Sequence, residues 1–233
     1  MSQIETLLAN GIFYPDAIKF HKNRKMRDRG AYAKGFPIGA IIHSTDGRPN
    51  DGAASLEFGI DENLYTYFVI GRGGKVFQSF SLSRWGEHAG PTLHPDLGNS
   101  LSRKLVGIEI VSAGILKKIS DDRFRPWYNE QTKKLQDDFN AGEVRFRETI
   151  GSPNKVGYQT AGYYHKFTDE QESALTKLLT WLKQHKPDIF KYENVFGHDE
   201  VAVKEGQYGR KTDPGACLSM TMAQLREHLI NTG

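Results

Sequence analysis

The chain has 233 residues, of which 38% are hydrophobic, and this size and composition predict a globular domain that buries a core. Its formal net charge of +3 would favour an anionic polymer such as cell wall or nucleic acid, but it is too small to choose between them. The single cysteine, Cys217, excludes an internal disulfide and any zinc site that needs two or more cysteines. A metal would therefore be held mainly by histidines and carboxylates.

The sequence shows no targeting signal. No run approaches the roughly 18 apolar residues of a membrane span. The first twenty residues lack the basic start, apolar segment and cleavage site of a secretory signal. We therefore expect synthesis in the cytoplasm without a signal peptide, or export by a route that does not read one.

The predicted elements indicate an α/β domain. In chain order they are a weak helix over 4–11, strands within 38–45, 65–80 (two, around a Gly-Gly turn) and 104–114, a long helix over 167–187, and a helix over 221–230. The apolar strand runs predict one sheet. The long helix should lie on that sheet, because Thr168 and Gln171 form a capping box and its apolar positions fall on one face.

Residues 115–164 are charged, aromatic and rich in glycine, without sustained periodicity. They predict a long insertion over one edge of the domain, and such loops are more often functional or mobile than core-building. We divide the chain into an N-terminal extension, 1–36, packed on a domain that spans 37–233, with the insertion at about 115–165.

Three residues are candidates for a metal site. His43 follows an apolar strand, His198 follows the strand-like run YENVFG, and Asp213 lies in the turn KTDPG. Each alone has an ordinary explanation, as a histidine bonded to a backbone carbonyl or as an Asp-Pro-Gly turn. Together, two histidines and one carboxylate make a three-ligand zinc site with a fourth position open, which is the arrangement that catalytic zinc requires.

Two charged residues are candidates for catalysis. Glu109 is embedded in the apolar strand LVGIEIV, where it either alternates out to solvent or serves as a general base beside the metal. Lys211 lies two residues before Asp213, where it is either solvated surface or a cation that stabilises an oxyanion.

Seven segments of the chain, in order, resemble the zinc-dependent N-acetylmuramoyl-L-alanine amidases of the type-2 amidase family. They are IIHST, VIGRGGKVFQ, WGEHAGP, VGIEIV, FTDEQ, FGHDEV and KTDPG. The resemblance covers roughly 37–229, except for the insertion. It implies a central mixed sheet flanked by helices, a Zn²⁺ ion, and cleavage of the amide between the lactyl group of N-acetylmuramic acid and L-alanine. It also implies the roles of the matching residues: His43, His198 and Asp213 as zinc ligands, Glu109 as the catalytic carboxylate, and Lys211 as the lysine of the K-x-D turn.

The resemblance further implies a substrate groove, to which we assign His88, Thr66, Tyr67, Trp85 and Asn99. This chain departs from the family where Thr66 and Tyr67 replace an aromatic-His or Ala-His pair and where Gly86-Glu87 lengthen the Trp-His-Ala-Gly segment. The loop between His198 and Lys211 is also long, and its Glu205 is an alternative ligand.

Two other classes stay open. One is a non-catalytic peptidoglycan-binding module of the same fold. The other is a nucleic-acid-binding protein, suggested by the charge and by aromatics such as Trp127, Tyr128, Tyr163 and Tyr164, although no nucleic-acid motif supports it. We expect peptidoglycan or a muropeptide as substrate, no nucleic acid, and a monomer. An endolysin-like antibacterial enzyme that is released or delivered to the wall is favoured over a cytoplasmic recycling enzyme, because basic charge aids adsorption to an anionic polymer.

Overall fold

The computed structural model describes residues 29–62, 67–132 and 138–232. Within these ranges, no helix is both long and apolar enough to cross a membrane. The predicted helix over 4–11, most of the predicted N-terminal extension, and Thr66 lie outside the described residues. Tyr32 and Phe36, from the end of that extension, are buried in the main core.

The strands of the described ranges are, in chain order, β1 (Gly39–Ser44), β2 (Phe68–Ile70), β3 (Val76–Gln78), β4 (Leu93–His94), β5 (Gly98–Asn99), β6 (Leu105–Ile110), β7 (Ile115–Lys118), β8 (Arg123–Pro126), β9 (Phe139–Asn140), β10 (Val144–Arg147), β11 (Gly162–His165), β12 (Val195–Gly197), β13 (Val203–Lys204) and β14 (Gln207–Tyr208). The α-helices are α1 (Ala53–Asp61), α2 (Trp127–Thr132), α3 (Asp169–His185), α4 (His198–Val201) and α5 (Met222–Thr232).

The central sheet has five strands in the order β12-β1-β6-β2-β3. Strands β12, β1, β6 and β2 are parallel to one another, and β3 closes one edge antiparallel to β2. The prediction that the three apolar runs form one mixed sheet is confirmed. Every residue of β1 is buried, which explains why a nearly continuous apolar run marks this strand rather than an alternating pattern.

Helix α3 packs on the sheet as its sequence predicts. The capping box is present, because Thr168 Oγ1 accepts the N–H of Gln171 and Gln171 Oε1 accepts the N–H of Thr168. Gln171 Nε2 also donates to the carbonyl of Val111, which ties the start of the helix to the sheet. The apolar stripe is buried in the same core as the strands: Ala174, Leu175, Leu178, Leu179 and Leu182.

The predicted C-terminal helix is α5, which runs two residues beyond the predicted end. It begins at Met222 and buries Met222, Leu225 and Leu229 against the core of the central sheet. The apolar spacing of three and four residues is thus the reason for both its helical form and its position.

The segment that the sequence predicted as a long, loop-like insertion at about 115–165 contains regular strands. They form a second, antiparallel sheet of five strands in the order β10-β11-β7-β8-β9. It has a small core of its own, formed by Ala113, Leu116, Phe124, Tyr128, Phe139 and Val144. These strands are only two to four residues long, so no window of sequence is long enough to display the two-residue period of a strand.

Candidate metal centre

Three of the candidate site residues stand where neighbouring parallel strands end. His43 on β1 pairs directly with Glu109 on β6. On the other side of β1, Ile42 pairs with Gly197, and the next residue, His198, begins helix α4. Because the carboxyl ends of parallel strands meet at one edge of a sheet, the register alone brings these three side chains together.

Asp213 comes from the turn after β14, and hydrogen bonds from α4 fix the backbone of that turn. The carbonyl of Asp213 accepts the N–H of Asp199 at 2.7 Å. The Oδ2 atom of Asp199 in turn accepts the N–H of Gly215 at 3.2 Å. Asp199 therefore places the Asp213 turn next to His198.

Two arginines of β10 bind the segment that follows Asp213. Arg147 donates three of these hydrogen bonds and Arg145 donates two, all to main-chain carbonyls at 2.8–3.1 Å. The accepting carbonyls belong to Gly215, Ala216, Cys217, Leu218 and Met220. The second sheet therefore supplies the donors that this irregular segment lacks within itself.

The same segment packs closely on β11. Gly215 has φ +50°, and a Cβ at this position would come within 2.2 Å of the ring of Tyr164. Glycine is therefore required both by the backbone conformation and by the contact with the tyrosine ring. This explains the glycine of the KTDPG turn by its contact with the second sheet.

One atom from each of three buried side chains converges on a common point. His43 Nδ1 lies 3.1 Å from His198 Nδ1 and 3.2 Å from Asp213 Oδ2, and the latter two atoms are 3.1 Å apart. The three residues are 3%, 4% and 5% exposed. Ligand atoms about 2.0–2.1 Å from a tetrahedral zinc ion stand about 3.3–3.4 Å from one another. This group of three donor atoms could therefore hold a metal ion.

The protonation states of these residues also suit a cation. Burial, together with the neighbouring His198 ring, lowers the pKa of His43 to about 4, so its imidazole is neutral at pH 7. Burial alone would raise the pKa of Asp213, but the adjacent His198 and His43 rings outweigh it and hold that pKa below its usual range. A neutral imidazole and an ionised carboxylate are the forms that bind metals.

Glu109 faces the same space as the three converging atoms. Its Oε2 atom is buried and has no hydrogen-bond partner among the described residues. Burial first, and then the carboxylates of Asp213 and Asp46, raise the pKa of Glu109 well above its ordinary value, whereas Lys211 opposes this shift. A carboxyl oxygen that is buried without a partner, beside other charged groups in a cavity, is typical of a functional site.

A third acidic side chain near the site, Asp46, was not identified from the sequence. Its Oδ1 atom accepts a hydrogen bond from Ser44 Oγ at 2.6 Å. Burial, and next the carboxylate of Asp213, raise its pKa to about 6. Asp46 has a left-handed backbone, with φ 48°, which aspartate tolerates better than most residues. The sequence feature that could have identified Asp46 is an acidic residue just after the end of a predicted strand, in the run HSTDG.

These groups line an open cavity of about 630 Å³. Two exposed aromatic side chains form part of its wall: Trp127 of α2, which is 51% exposed, and Phe58 of α1, which is 61% exposed. The indole Nε1 of Trp127 donates to the carbonyl of Asp46. Arg48 and the exposed Lys211 also line the cavity, so it offers aromatic surface and positive charge beside the candidate metal site.

The residues assigned to a substrate groove occupy different places. His88 lines the cavity and contacts His43. Tyr67 is fully buried and lines neither of the two cavities described in this section; its hydroxyl donates to the carbonyl of Arg84 at 2.9 Å and so supports the core. Trp85 and Asn99 line a second cavity, of about 520 Å³, which shares Glu87 with the first.

Glu205, the alternative ligand, lies in the exposed turn between β13 and β14. It does not belong to the group of three converging residues. Within the described part of the chain, the candidate metal ligands are thus His43, His198 and Asp213.

A mixed sheet that ends in two histidines, with a carboxylate and a partly buried glutamate beside them in a cavity, is an arrangement that metal-dependent hydrolases use. The model of the N-acetylmuramoyl-L-alanine amidase family matches residues 34–216 of the chain. Because this match spans most of its length, the chain belongs to that family. The protein is therefore an amidase, and it hydrolyses the bond between N-acetylmuramic acid and L-alanine.

Solved structures are similar in fold at low sequence identity. AmiD from E. coli, solved with anhydro-N-acetylmuramic acid-L-Ala-D-γ-Glu-L-Lys, has a TM-score of 0.51 and 17% identity, over 87% of this chain and 60% of that one. AmpDh3 from Pseudomonas aeruginosa, solved with an anhydromuramic pentapeptide, has a TM-score of 0.48 and 18% identity, over 89% and 65%. An AmpD structure has a TM-score of 0.46 and 17% identity, over 85% of this chain and 88% of that one. No curated protein is significantly similar in sequence.

Proposed function

We propose that His43, His198 and Asp213 bind a zinc ion, and that Glu109 and Lys211 act beside it in the hydrolysis of the muramoyl–L-alanine amide. The observation that carries this proposal is the convergence of three ligand atoms, 3.1–3.2 Å apart, at the wall of an open cavity. Three protein ligands leave one position of a tetrahedral zinc ion for water or substrate, as catalytic sites require.

Bound zinc would supply two kinds of chemistry: it makes water acidic enough to yield a nucleophile near neutral pH, and it withdraws electrons from the scissile carbonyl. The donor set suits zinc, since imidazole nitrogen and carboxylate oxygen are both ordinary zinc ligands. The remaining steps depend on the side chains of this chain.

Glu109 is the proposed general base and acid. Burial favours its protonated form, but a divalent cation beside it favours the carboxylate, so the loaded site would hold Glu109 ionised. The carboxylate accepts a proton from the attacking water. It then delivers that proton to the nitrogen of the departing L-alanine, which completes cleavage of the amide.

Lys211 is the proposed stabiliser of the negative charge on the carbonyl oxygen. Its side chain is exposed and lines the cavity that contains Glu109 and Asp213. The charge on the carbonyl oxygen is fully developed only after the nucleophile adds. A cation held there therefore stabilises the transition state more than the bound substrate, and this raises the catalytic rate.

The proposed substrate is peptidoglycan of the cell wall, with soluble muropeptides as the alternative. Two features favour the polymer: the cavity is partly open to solvent, and the chain carries a net charge of +3. The solved complex of AmiD contains anhydro-N-acetylmuramic acid-L-Ala-D-γ-Glu-L-Lys, which supports the muramoyl–peptide end of the substrate without selecting its size.

Product analysis by mass spectrometry tests this proposal. The purified protein is incubated with intact sacculi and, separately, with soluble anhydromuramoyl peptides, each with zinc and with a chelator. We expect chelator-sensitive release of peptides that begin with a free L-alanine amine, and faster release from sacculi. Faster cleavage of the soluble peptides would assign the protein to muropeptide recycling instead.

A zinc-loaded protein that binds sacculi and cleaves neither substrate would overturn the catalytic proposal. It would indicate the non-catalytic binding module. The matched control is Glu109→Gln, which is expected to keep the zinc and the cavity but to lose turnover. If wild type and this variant behave alike, the proposed role of Glu109 is excluded.

A further inference from the structure

We propose that the dipeptide His88–Ala89 sets the orientation and the protonated nitrogen of both histidines in the candidate metal site. His88 would then be a positioning residue that acts through His43, rather than a residue of the substrate groove. This inference rests on the proposed metal site, but its key observable is a property of the metal-free protein.

The first arm of the arrangement runs through His88. Its Nε2 atom lies 3.0 Å from the carbonyl of Leu105, and a carbonyl can only accept, so His88 Nε2 carries a proton. A neutral imidazole has one N–H, so His88 Nδ1 is an acceptor. His43 Nε2, 3.1 Å away, then donates to it, and His43 Nδ1 is left with a free lone pair.

The second arm runs through the next residue. The carbonyl of Ala89 lies 2.8 Å from His198 Nε2, whereas the guanidinium of Arg210 lies farther away, at 3.3 Å, so the shorter contact assigns the proton to Nε2. This leaves the lone pair of His198 Nδ1 toward His43 Nδ1 and Asp213 Oδ2. Two consecutive residues therefore determine which ring nitrogen of each histidine is available to a metal.

The dipeptide is itself held rigidly. The hydroxyl of Ser102, which is buried, accepts the backbone N–H groups of His88 and Ala89 at 3.2 and 3.1 Å. Gly107 on β6 leaves room for the His88 ring, because a Cβ there would come within 2.7 Å of His88 Nδ1. Strand β6 also carries Leu105 and Glu109. It thus holds His88 in place, and His88 in turn positions His43.

The opposite proton arrangement would block the site. If His43 carried its proton on Nδ1, that proton would point at His198 Nδ1 and Asp213 Oδ2, where the metal must bind. Removing the acceptor on His88 makes both arrangements of His43 accessible. Outer partners of this kind typically change metal affinity about 10- to 100-fold, although they do not touch the metal.

Nitrogen NMR of the metal-free protein tests the arrangement directly. In wild type, we expect both His43 and His198 to carry the proton on Nε2. In His88→Ala, His43 should become a mixture of the two forms, whereas His198 should not change because the Ala89 carbonyl remains. A wild-type His43 protonated on Nδ1, or a His43 signal unchanged by His88→Ala, would overturn the inference.

Zinc affinity, measured by competition with a chromophoric chelator, gives the second readout. We expect His88→Ala to bind zinc about 10- to 100-fold more weakly. His88→Gln should bind more tightly than His88→Ala, since the amide can accept from His43 and donate to Leu105. The matched control, His228→Ala, removes an exposed histidine of α5 and should bind as wild type does.

The results separate this inference from the proposed function. If wild type fails to bind zinc, the proposed metal site is overturned, and the NMR measurement still decides the role of His88. If wild type binds zinc and His88→Ala binds it equally well, only the positioning role is overturned. A loss of the folded NMR spectrum in His88→Ala would leave His88→Gln to carry the comparison with wild type.

Discussion

The two sheets contribute to the candidate site in different ways. The central sheet delivers side chains to it directly, since His43, Glu109 and His198 stand at the ends of neighbouring parallel strands. The second sheet delivers, among the described residues, no candidate ligand. Instead, Arg145 and Arg147 bind the segment after Asp213, and Trp127, between β8 and β9, lines the cavity.

This difference shows what each part of the site needs. A residue at a strand end is already fixed by the hydrogen bonds of the sheet, so the register is sufficient to position it. Asp213 lies in a turn, whose carbonyls have no ladder partners and must be satisfied from outside. The second sheet supplies those partners, so the candidate metal site depends on both sheets although one of them carries most of its side chains.

The largest expected effect comes from removing a ligand from each region. We expect His43→Ala, on the central sheet, and Asp213→Ala, in the turn, to lose stoichiometric zinc and all measurable turnover. The reason is that two remaining ligands cannot hold a catalytic zinc ion tightly. Zinc content by mass spectrometry and peptide release from sacculi give the measurement. If Asp213→Ala retains zinc, the turn does not contribute a ligand, and the comparison between the two regions fails.

Glu109→Gln should separate chemistry from metal binding within the central sheet. We expect turnover to fall roughly 10²- to 10⁴-fold, the range that a positioned general acid and base contributes. Zinc content should stay at the wild-type level, since Glu109 is not among the three converging residues. A variant that loses its zinc as well would move Glu109 into the ligand set.

We expect the same substitution, Glu109→Gln, to make the metal-free protein more stable than metal-free wild type, by an amount that depends on pH. The folded pKa of Glu109 is raised above its ordinary value of 4.5, so the folded protein keeps a proton that the unfolded chain releases. The contribution of Glu109 to stability is therefore present at low pH and lost as the pH rises. Glu109→Gln avoids this loss. Its melting temperature should exceed that of metal-free wild type at pH 7, and the difference should shrink toward about pH 4.

The sequence predicted the central sheet and its site because both leave local signals. A continuous apolar run ending in His43, a second ending before His198, and a charged residue inside LVGIEIV are visible without any contact information. Parallel strands then bring their ends together whatever the length of the connections between them. The three candidate ligands could therefore be selected from two strand ends and one turn.

The second sheet and the outer contacts could not be predicted in this way. Its strands are too short to show a period, and the partners of Arg147 are main-chain carbonyls, which have no sequence signature. His88 is 45 residues from His43 in the chain, and only the fold shows that the two rings touch. Tyr67 was assigned to the groove by the family resemblance, whereas its burial depends on the core around it.

Arg147→Ala tests whether the second sheet positions Asp213. We expect zinc to bind about 10-fold more weakly or worse, because three carbonyls lose their donor and the turn relaxes. The free energy of unfolding should fall by about 1–3 kcal/mol, the cost of leaving such groups unpaired. The control is Arg125→Ala, which removes an ion pair with Asp138 at 3.0 Å on the same sheet. Equal zinc affinity in the two variants would contradict a positioning role.

The smallest expected effect is that of Trp127→Ala, which tests the other contribution of the second sheet. The indole is 51% exposed in the cavity wall, so its loss should weaken substrate binding by an aromatic contact and raise KM on sacculi roughly 2- to 10-fold. The kcat and the melting temperature should change little. Phe146→Ala removes an aromatic ring of equal exposure, 52%, that lines neither cavity, and it should leave KM unchanged.

An effect of Trp127→Ala on kcat or zinc affinity would carry a different meaning. The indole Nε1 donates to the carbonyl of Asp46, whose side chain lies near Glu109 and Asp213. Loss of that bond could shift the loop between β1 and α1, and Trp127→Phe, which lacks the donor but keeps a ring, distinguishes the two causes. If Phe restores KM, then the second sheet contributes surface to the cavity. If Trp127→Phe does not restore KM and its kcat falls, then the second sheet positions the loop after His43 as well as the turn of Asp213.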